Sequence, residues 1–270
     1  MTLVNPEAMR RINGNDTSRE RAQALIPEGV GVVDISFGPQ NTELLNKMLP
    51  IRAEFVQAMN WRERDPNYDD RDEYDDLDET LHLSLTDRET GELIAGLRLT
   101  RVPSVEESQS WIMLSDNPQM IESALDHVDE QGRNTVELLN ETAKRGNLWD
   151  LTRLVCPLDE NADRKKIVAG IMELFAVGYG TIRQNTLDDE QDDVRWICAA
   201  TDLVKMTAEN LCLDFASAAS GRVNKKDYMD THFCVVKVEE TVTNIADHAE
   251  EQKFRFPSEH MFNGFRKAGL

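Results

Sequence analysis

From position 30 onward, short apolar runs alternate with amphipathic stretches, and each change of period marks an element. VGVVDISF (30–37) reads as a strand closed by Gly38-Pro39. Asn41 or Thr42 then caps a helix through Met48, and Pro50 either opens a second helix or kinks one longer helix ending near Met59. TLHLSLTD (80–87) alternates apolar and polar residues, RETGE supplies a glycine-containing turn, and LIAGLRLTRV follows, which predicts a β-hairpin. WDLTRLVC (149–156) reads as a strand. A long amphipathic helix spans 162–183, with Ile167, Ile171, Leu174, Phe175 and Ile182 along its apolar side. VRWICAA (194–200) is a strand, 202–213 a helix and HFCVVKV (232–238) a last strand. This order predicts an α/β protein, a mixed sheet flanked by helices on both faces. Residues 1–30 read as an N-terminal arm and 31–240 as the domain. Residues 103–147 are an insertion in it, partly helical around 118–143, and 241–270 are a C-terminal extension.

Composition narrows the function. The 270 residues suit one large domain, and a hydrophobic fraction of 40% is enough for an ordinary core. A net charge of −20 argues against nucleic acid or an anionic membrane as the main partner. No apolar run approaches the roughly 20 residues that cross a bilayer, and MTLVNPEAMRRINGND lacks a signal-peptide core, so a cytoplasmic location is expected. Cys156, Cys198, Cys212 and Cys234 form no CxxC pair; they read as buried free thiols rather than a zinc site or a disulfide framework. His82, His127, His232, His248 and His260 have no motif spacing and read as structural or surface groups. No nucleophile elbow, HExxH or Walker A sequence occurs, and neither a metal nor a cofactor is expected.

Four features carry candidate chemistry. Arg52 and Phe55 share a helical face, with Trp61 just beyond. The acidic stretch DEYDDLDE (72–79) presents Asp72, Asp75 and Asp78 on a long loop, without the glycine that a calcium-binding EF-hand loop requires. Arg98 lies in the second hairpin strand. Asp150 and Arg153 lie in WDLTR with opposite strand parity, so they enter one cleft only if the strand is bulged or twisted. Taken singly, each also has an ordinary reading as core or solvated charge.

Together, Arg52, Phe55, Trp61, Asp72-Glu-Tyr-Asp75, Arg98 and Asp150-Leu-Thr-Arg153 resemble the acyl-homoserine-lactone synthases, the bacterial quorum-sensing autoinducer synthases. The resemblance spans roughly residues 30–240. Three differences stand out: an Arg-to-Phe spacing of three where the family usually has four, Asp150 where it has Glu, and the added length at 103–147. The resemblance implies an acetyltransferase-like (GNAT-type) fold and an N-acyltransferase. Such an enzyme moves an acyl group from an acyl carrier protein or acyl-CoA thioester to the amine of S-adenosylmethionine, then closes the lactone. Asp150 is then the base, with Arg153 beside it; Asp72 and Asp75 hold the substrate ammonium, Arg52 or Arg98 its carboxylate, and Phe55 and Trp61 its sulfonium or adenine. The glycine-rich pyrophosphate turn of ordinary acetyltransferases is replaced by CPLDENADRKK. Arg164, Lys165 and Lys166 would then offer a landing surface for an acidic carrier protein. The acyl chain is expected between VRWICAA and the long helix, with Ile197 at the position where the family often bears a hydroxyl. Two alternatives stay open: transfer to another amine from acyl-CoA, or a non-catalytic S-adenosylmethionine-binding module on the same fold.

Overall fold

The computed structural model describes residues 31–38, 42–58, 65–157, 164–185, 194–201, 205, 215–223 and 230–238. They form β1 (Gly31–Phe37), α1 (Thr42–Ala58), a 3₁₀ turn (Glu73–Asp76), β2 (Thr80–Asp87), β3 (Leu93–Arg101), α2 (Gln109–Leu114), α3 (Pro118–Asp126), α4 (Thr135–Lys144), β4 (Leu148–Val155), α5 (Arg164–Asn185), β5 (Arg195–Thr201), β6 (Phe215–Gly221) and β7 (Thr231–Lys237). The seven strands make one sheet in the order β1-β2-β3-β4-β5-β7-β6. All neighbours are antiparallel except β4 and β5, which pair in parallel at Leu148↔Arg195, Trp149↔Trp196 and Asp150↔Ile197. The mixed sheet expected from the sequence is therefore present.

Period-two alternation assigns each strand's side chains to one of two apolar layers. Leu81, Leu83, Leu85, Leu97, Leu99, Trp149, Leu151, Trp196, Cys198, Cys234 and Val236 pack with Leu174, Phe175, Val177 and Ile182 of α5. Leu148, Ile197 and Phe233 point the other way, onto Trp111, Leu114, Met120, Ala124, Val136 and Leu139 of α2–α4. Helix α1 lies on this second face, where a Cβ on Gly96 would come within 2.9 Å of Met48 Cε. On the first face α5 sits so close that a Cβ on Gly170 would stand 2.6 Å from Leu85 Cδ2.

Of the two readings of Pro50, the single longer helix is the one present, as α1. Other expectations change. Strand β6 has no counterpart in the sequence reading, and the 103–147 insertion carries three helices, each with a side-chain cap. Ser108 accepts from Trp111 N–H, Asn117 from Gln119 and Met120 N–H, and Asn134 from Glu137 N–H. The helix expected at 202–213 lies outside the described residues apart from Lys205. Cys198 and Cys234 are buried free thiols opposite one another on β5 and β7, Cys156 is partly buried, and Cys212 lies outside the described residues. Among the described residues, no helix is long and apolar enough to cross a membrane.

Candidate active site

The sequence DEYD builds its own support. Asp72 caps the 3₁₀ turn by accepting Tyr74 N–H at 3.0 Å, and Asp75 returns a carboxylate oxygen to Asp72 N–H at 3.0 Å. This reciprocal box turns both carboxylates towards the sheet face on which α1 lies. Arg52, a full turn past Met48 on the inner side of α1, meets them there. Its Nη1 and Nη2 donate to the two oxygens of Asp75 at 2.8 and 3.0 Å, its Nε to Asp70 Oδ2 at 3.0 Å, and Nη2 also to the Asp70 carbonyl at 2.7 Å.

Arg98 enters from β3. It donates through Nη1 to Asp72 at 2.5 Å and Asp75 at 2.9 Å, and through Nε to the hydroxyl of its cross-strand partner Thr152 at 3.0 Å. Its Nη2 reaches Gln109 Oε1 at 2.5 Å, and Gln109 Nε2 donates in turn to Asp72 at 3.0 Å. The Tyr74 ring stacks on the guanidinium, 5.5 Å from ring centre to Arg98 Cζ.

The parity conflict between Asp150 and Arg153 is resolved by a bulge. Across β3 and β4, Gly96 faces Val155 but Arg98 faces Thr152, so β4 has an extra residue, and Arg153 takes φ 55°. Arg153 thereby joins the cluster, with Nη2 donating to Asp72 Oδ2 at 2.9 Å. Its Nε lies 3.0 Å from Asp70 Oδ2, a charge contact without hydrogen-bond alignment.

Burial raises a carboxyl pKa, but here the hydrogen bonds and charge of Arg52, together with the charge of Arg98, outweigh it and hold Asp75 well below the usual carboxylate range. At Asp72 burial acts in the same direction, and the hydrogen bonds and charge of Arg98 outweigh it and lower the pKa. His82 lies directly opposite Arg98 on β2. Burial lowers its pKa to about 4, so it is neutral near pH 7, and its Nδ1 has no hydrogen-bond partner. Asp150 is fully buried, which pushes its carboxyl up to about 6 against the hydrogen bonds it accepts from Ser110. A carboxylate with that affinity can take a proton from an amine and release it near neutrality.

No protein-family model matches the sequence, nor does any curated protein. Solved structures do match. The CoA-dependent acyl-homoserine lactone synthase BjaI, with SAM and isopentyl-CoA, aligns at a TM-score of 0.52 and 13% identity over 87% of this chain and 99% of its own. TofI, in a ternary complex with an inhibitor and MTA, aligns at 0.51 and 14% identity over 79% and 95%. The AHL synthase LasI aligns at 0.51 and 10% identity over 80% and 96%. This chain has the fold of the acyl-homoserine lactone synthases.

On the synthase fold, Arg52, Asp72, Asp75, Arg98 and Arg153 converge in one cluster, and Asp150 lies next to it on the bulged strand. Within the cluster Arg52, Arg98, Asp70 and Asp75 are fully buried in contact with one another, while the Asp72 side chain is 21% exposed and that of Arg153 18%. Phe55 is half-buried on α1, and Trp61 lies outside the described residues. Ile197 does not lie between β5 and the long helix. Its side chain faces α2–α4, because its neighbours Trp196 and Cys198 take the α5 side. Of the basic triplet, Lys166 pairs with Asp87, and the side chains of Arg164 and Lys165 lie outside the described residues. Sequence reasoning passed over Asp70, Gln109, Ser110 and Thr152. Asp70 was one carboxylate in a long acidic run. Ser108 ahead of Trp111 and Leu114 was a readable cap signal for the short helix that brings in Gln109 and Ser110.

Proposed function

We propose that this protein is an autoinducer-synthase-type N-acyltransferase that acylates the α-amine of S-adenosylmethionine from an acyl thioester, acyl-CoA or acyl carrier protein, and then forms the homoserine lactone. The observation that carries the reading is the convergence of Arg52, Asp72, Asp75, Arg98, Asp150 and Arg153, dispersed over about a hundred residues, beside one another on this fold. Binding of SAM and isopentyl-CoA by BjaI, and of MTA by TofI, supports the choice of substrates.

In this reading the partly open Asp72 receives the substrate ammonium, and Arg153 at the same edge pairs with its carboxylate. Asp150 takes one proton from the ammonium, directly or through a water. The freed nitrogen attacks the thioester carbonyl carbon, the C–N bond forms and the C–S bond breaks. The second proton leaving nitrogen neutralises the departing thiolate, and the proton on Asp150 passes to solvent. Lactonisation then needs the substrate carboxylate to displace methylthioadenosine from the γ-carbon, a step that its sulfonium leaving group favours without protonation.

The test is incubation of purified protein with S-adenosylmethionine and hexanoyl or isopentyl donors on CoA and on acyl carrier protein, followed by mass spectrometry. Acyl-homoserine lactone and methylthioadenosine in equal amounts are expected with at least one donor. Neither product with any donor, from protein that still binds S-adenosylmethionine, would overturn the enzymatic reading in favour of a binding module.

A further inference from the structure

The ladder between β4 and β5 runs from Leu148 to Asp150, and Ser110 of α2 spans the two strands where it ends. Ser110 N–H donates to Asp150 Oδ2 at 3.1 Å, and Ser110 Oγ contacts Asp150 Oδ1 at 2.5 Å. On its other side, Ser110 Oγ lies 3.0 Å from the backbone nitrogen of Ala199 on β5. A backbone N–H can only donate, so Ser110 Oγ accepts there and its single hydrogen is left for Asp150. Both oxygens of Asp150 therefore receive a donor from one residue, and both contacts need lone pairs on the carboxylate. Ser110 and Asp150 are each fully buried, so water does not compete for these bonds.

We propose that Ser110 is a positioning residue for Asp150: it fixes the carboxylate's orientation and holds it in the ionised form that accepts the amine proton. The proposal rests on the reading of Asp150 as the base. It makes the 103–147 segment part of the reaction apparatus, since α2 delivers Ser110 to Asp150 and, one residue earlier, Gln109 to Arg98 and Asp72. The charged and titratable groups that act on Asp150 or feel its charge are Arg98 on β3, Tyr74 on the 3₁₀ turn and Cys198 on β5. Arg98 favours the carboxylate. Burial raises the pKa of Tyr74, and at Cys198 the hydrogen bond with the Cys234 thiol, followed by burial, raises it, so both are neutral at pH 7. Among the groups that oppose the burial of Asp150, the two hydrogen bonds from Ser110 come first.

The experiment has two readouts on wild type, Ser110→Ala and Ser110→Thr. One is titration of the Asp150 carboxyl by ¹³C NMR of aspartate-labelled protein, assigned with Asp150→Asn. The other is the pH profile of kcat/KM for acyl transfer. In Ser110→Ala the Asp150 titration and the acid limb of the profile should move together to higher pH by about one unit, while Ser110→Thr stays with wild type. Ser110→Cys, of similar volume with a weaker donor, replaces the alanine variant if that does not fold, and should shift in the same direction. An unchanged Asp150 titration overturns the proposal. So does a shifted titration with an unmoved acid limb, because Asp150 would then not be the group that limits turnover. If wild type makes no product from any donor, the proposed function fails, and the NMR arm alone decides whether Ser110 controls the ionisation of Asp150.

Discussion

Asp70 and Arg153, far apart in the sequence, are the two non-glycine residues with positive φ among the described residues, at 54° and 55°, and they are ion-paired to each other at 3.0 Å. Left-handed backbone costs an ordinary residue about 1–2 kcal/mol, so the pair joins two places where the chain is held against its preference. On Arg153 the conformation comes with the bulge that brings this side chain to the cluster. On Asp70 it comes where the backbone carbonyl accepts from Arg52 while the side chain meets both guanidiniums.

Arg153→Gly and Arg153→Ala remove the same charge but differ in tolerance of φ 55°. The glycine variant should be the more stable by about 1 kcal/mol in urea denaturation, with both deficient in turnover. Equal stability would show that the bulge carries no strain.

Arg52→Met should destabilise the protein by roughly 3–5 kcal/mol, because it leaves Asp70 and Asp75 buried without their main partner. Arg52→Lys retains the charge but not the fork and should fall between. A fully folded Arg52→Met with wild-type denaturation would contradict the buried network.

Asp72→Asn should cost less stability than Asp75→Asn, since an amide oxygen can still cap the 3₁₀ turn and the Asp72 side chain is partly exposed, yet raise the KM for S-adenosylmethionine about tenfold through loss of a charged contact. Asp75→Asn should instead cost mainly stability, because that carboxylate is buried against two arginines. The comparison needs only thermal melts and initial rates; similar melts for the two variants would refute it.

The raised pKa of Asp150 has a sign that can be checked. The folded protein binds this proton more tightly than the unfolded chain does, so the contribution is favourable below the unfolded value and is lost as pH rises through about 6. Between pH 4 and pH 6.5, wild type should lose on the order of 2–3 kcal/mol relative to Asp150→Asn. A stability difference independent of pH would place the carboxyl pKa near its ordinary value.

Gly170→Ala would raise helix propensity by about 1 kcal/mol in an open helix. Here the added methyl meets Leu85 Cδ2 at 2.6 Å and Ile94 Cγ2 at 3.0 Å, so a net loss of about 1–3 kcal/mol is expected. A stabilised variant would mean that α5 can move away from the hairpin at little cost.

The hairpin was legible because TLHLSLTD alternates apolar and polar residues and a glycine-containing turn joins it to LIAGLRLTR. WDLTR was legible as a strand, its parity conflict called for a bulge or a twist, and a bulge is found there. Strand β6 was not, because FASAASG is mostly small residues whose place is decided by pairing with β7 rather than by its own pattern. The charged residues of the cluster could be picked out by type. What sequence could not supply was how they are spent: Arg52 and Asp75 were candidates for substrate contact, yet in the structure they are turned fully onto each other. The resemblance puts Ile197 beside the long helix, whereas side-chain alternation along β5 sends it to the opposite layer. Gln109 and Ser110 reach the site from a segment that had no chemical signature, since neutral amides and hydroxyls become informative once their partners are known.

Three guanidinium charges, on Arg52, Arg98 and Arg153, meet three carboxylates, on Asp70, Asp72 and Asp75, and their sum is zero. Such a group acts outwards as a multipole, whose field dies away over a few ångströms faster than that of a single charge. It can sort a ligand already in contact by the placement of its ammonium and carboxylate, but it cannot draw one in from solution. Long-range attraction for a cation falls to the rest of a chain with a net charge of −20, and that attraction is screened by salt. Capture and selection are thus divided between two electrostatic regimes: added salt should slow the encounter while leaving the choice among bound amines nearly untouched.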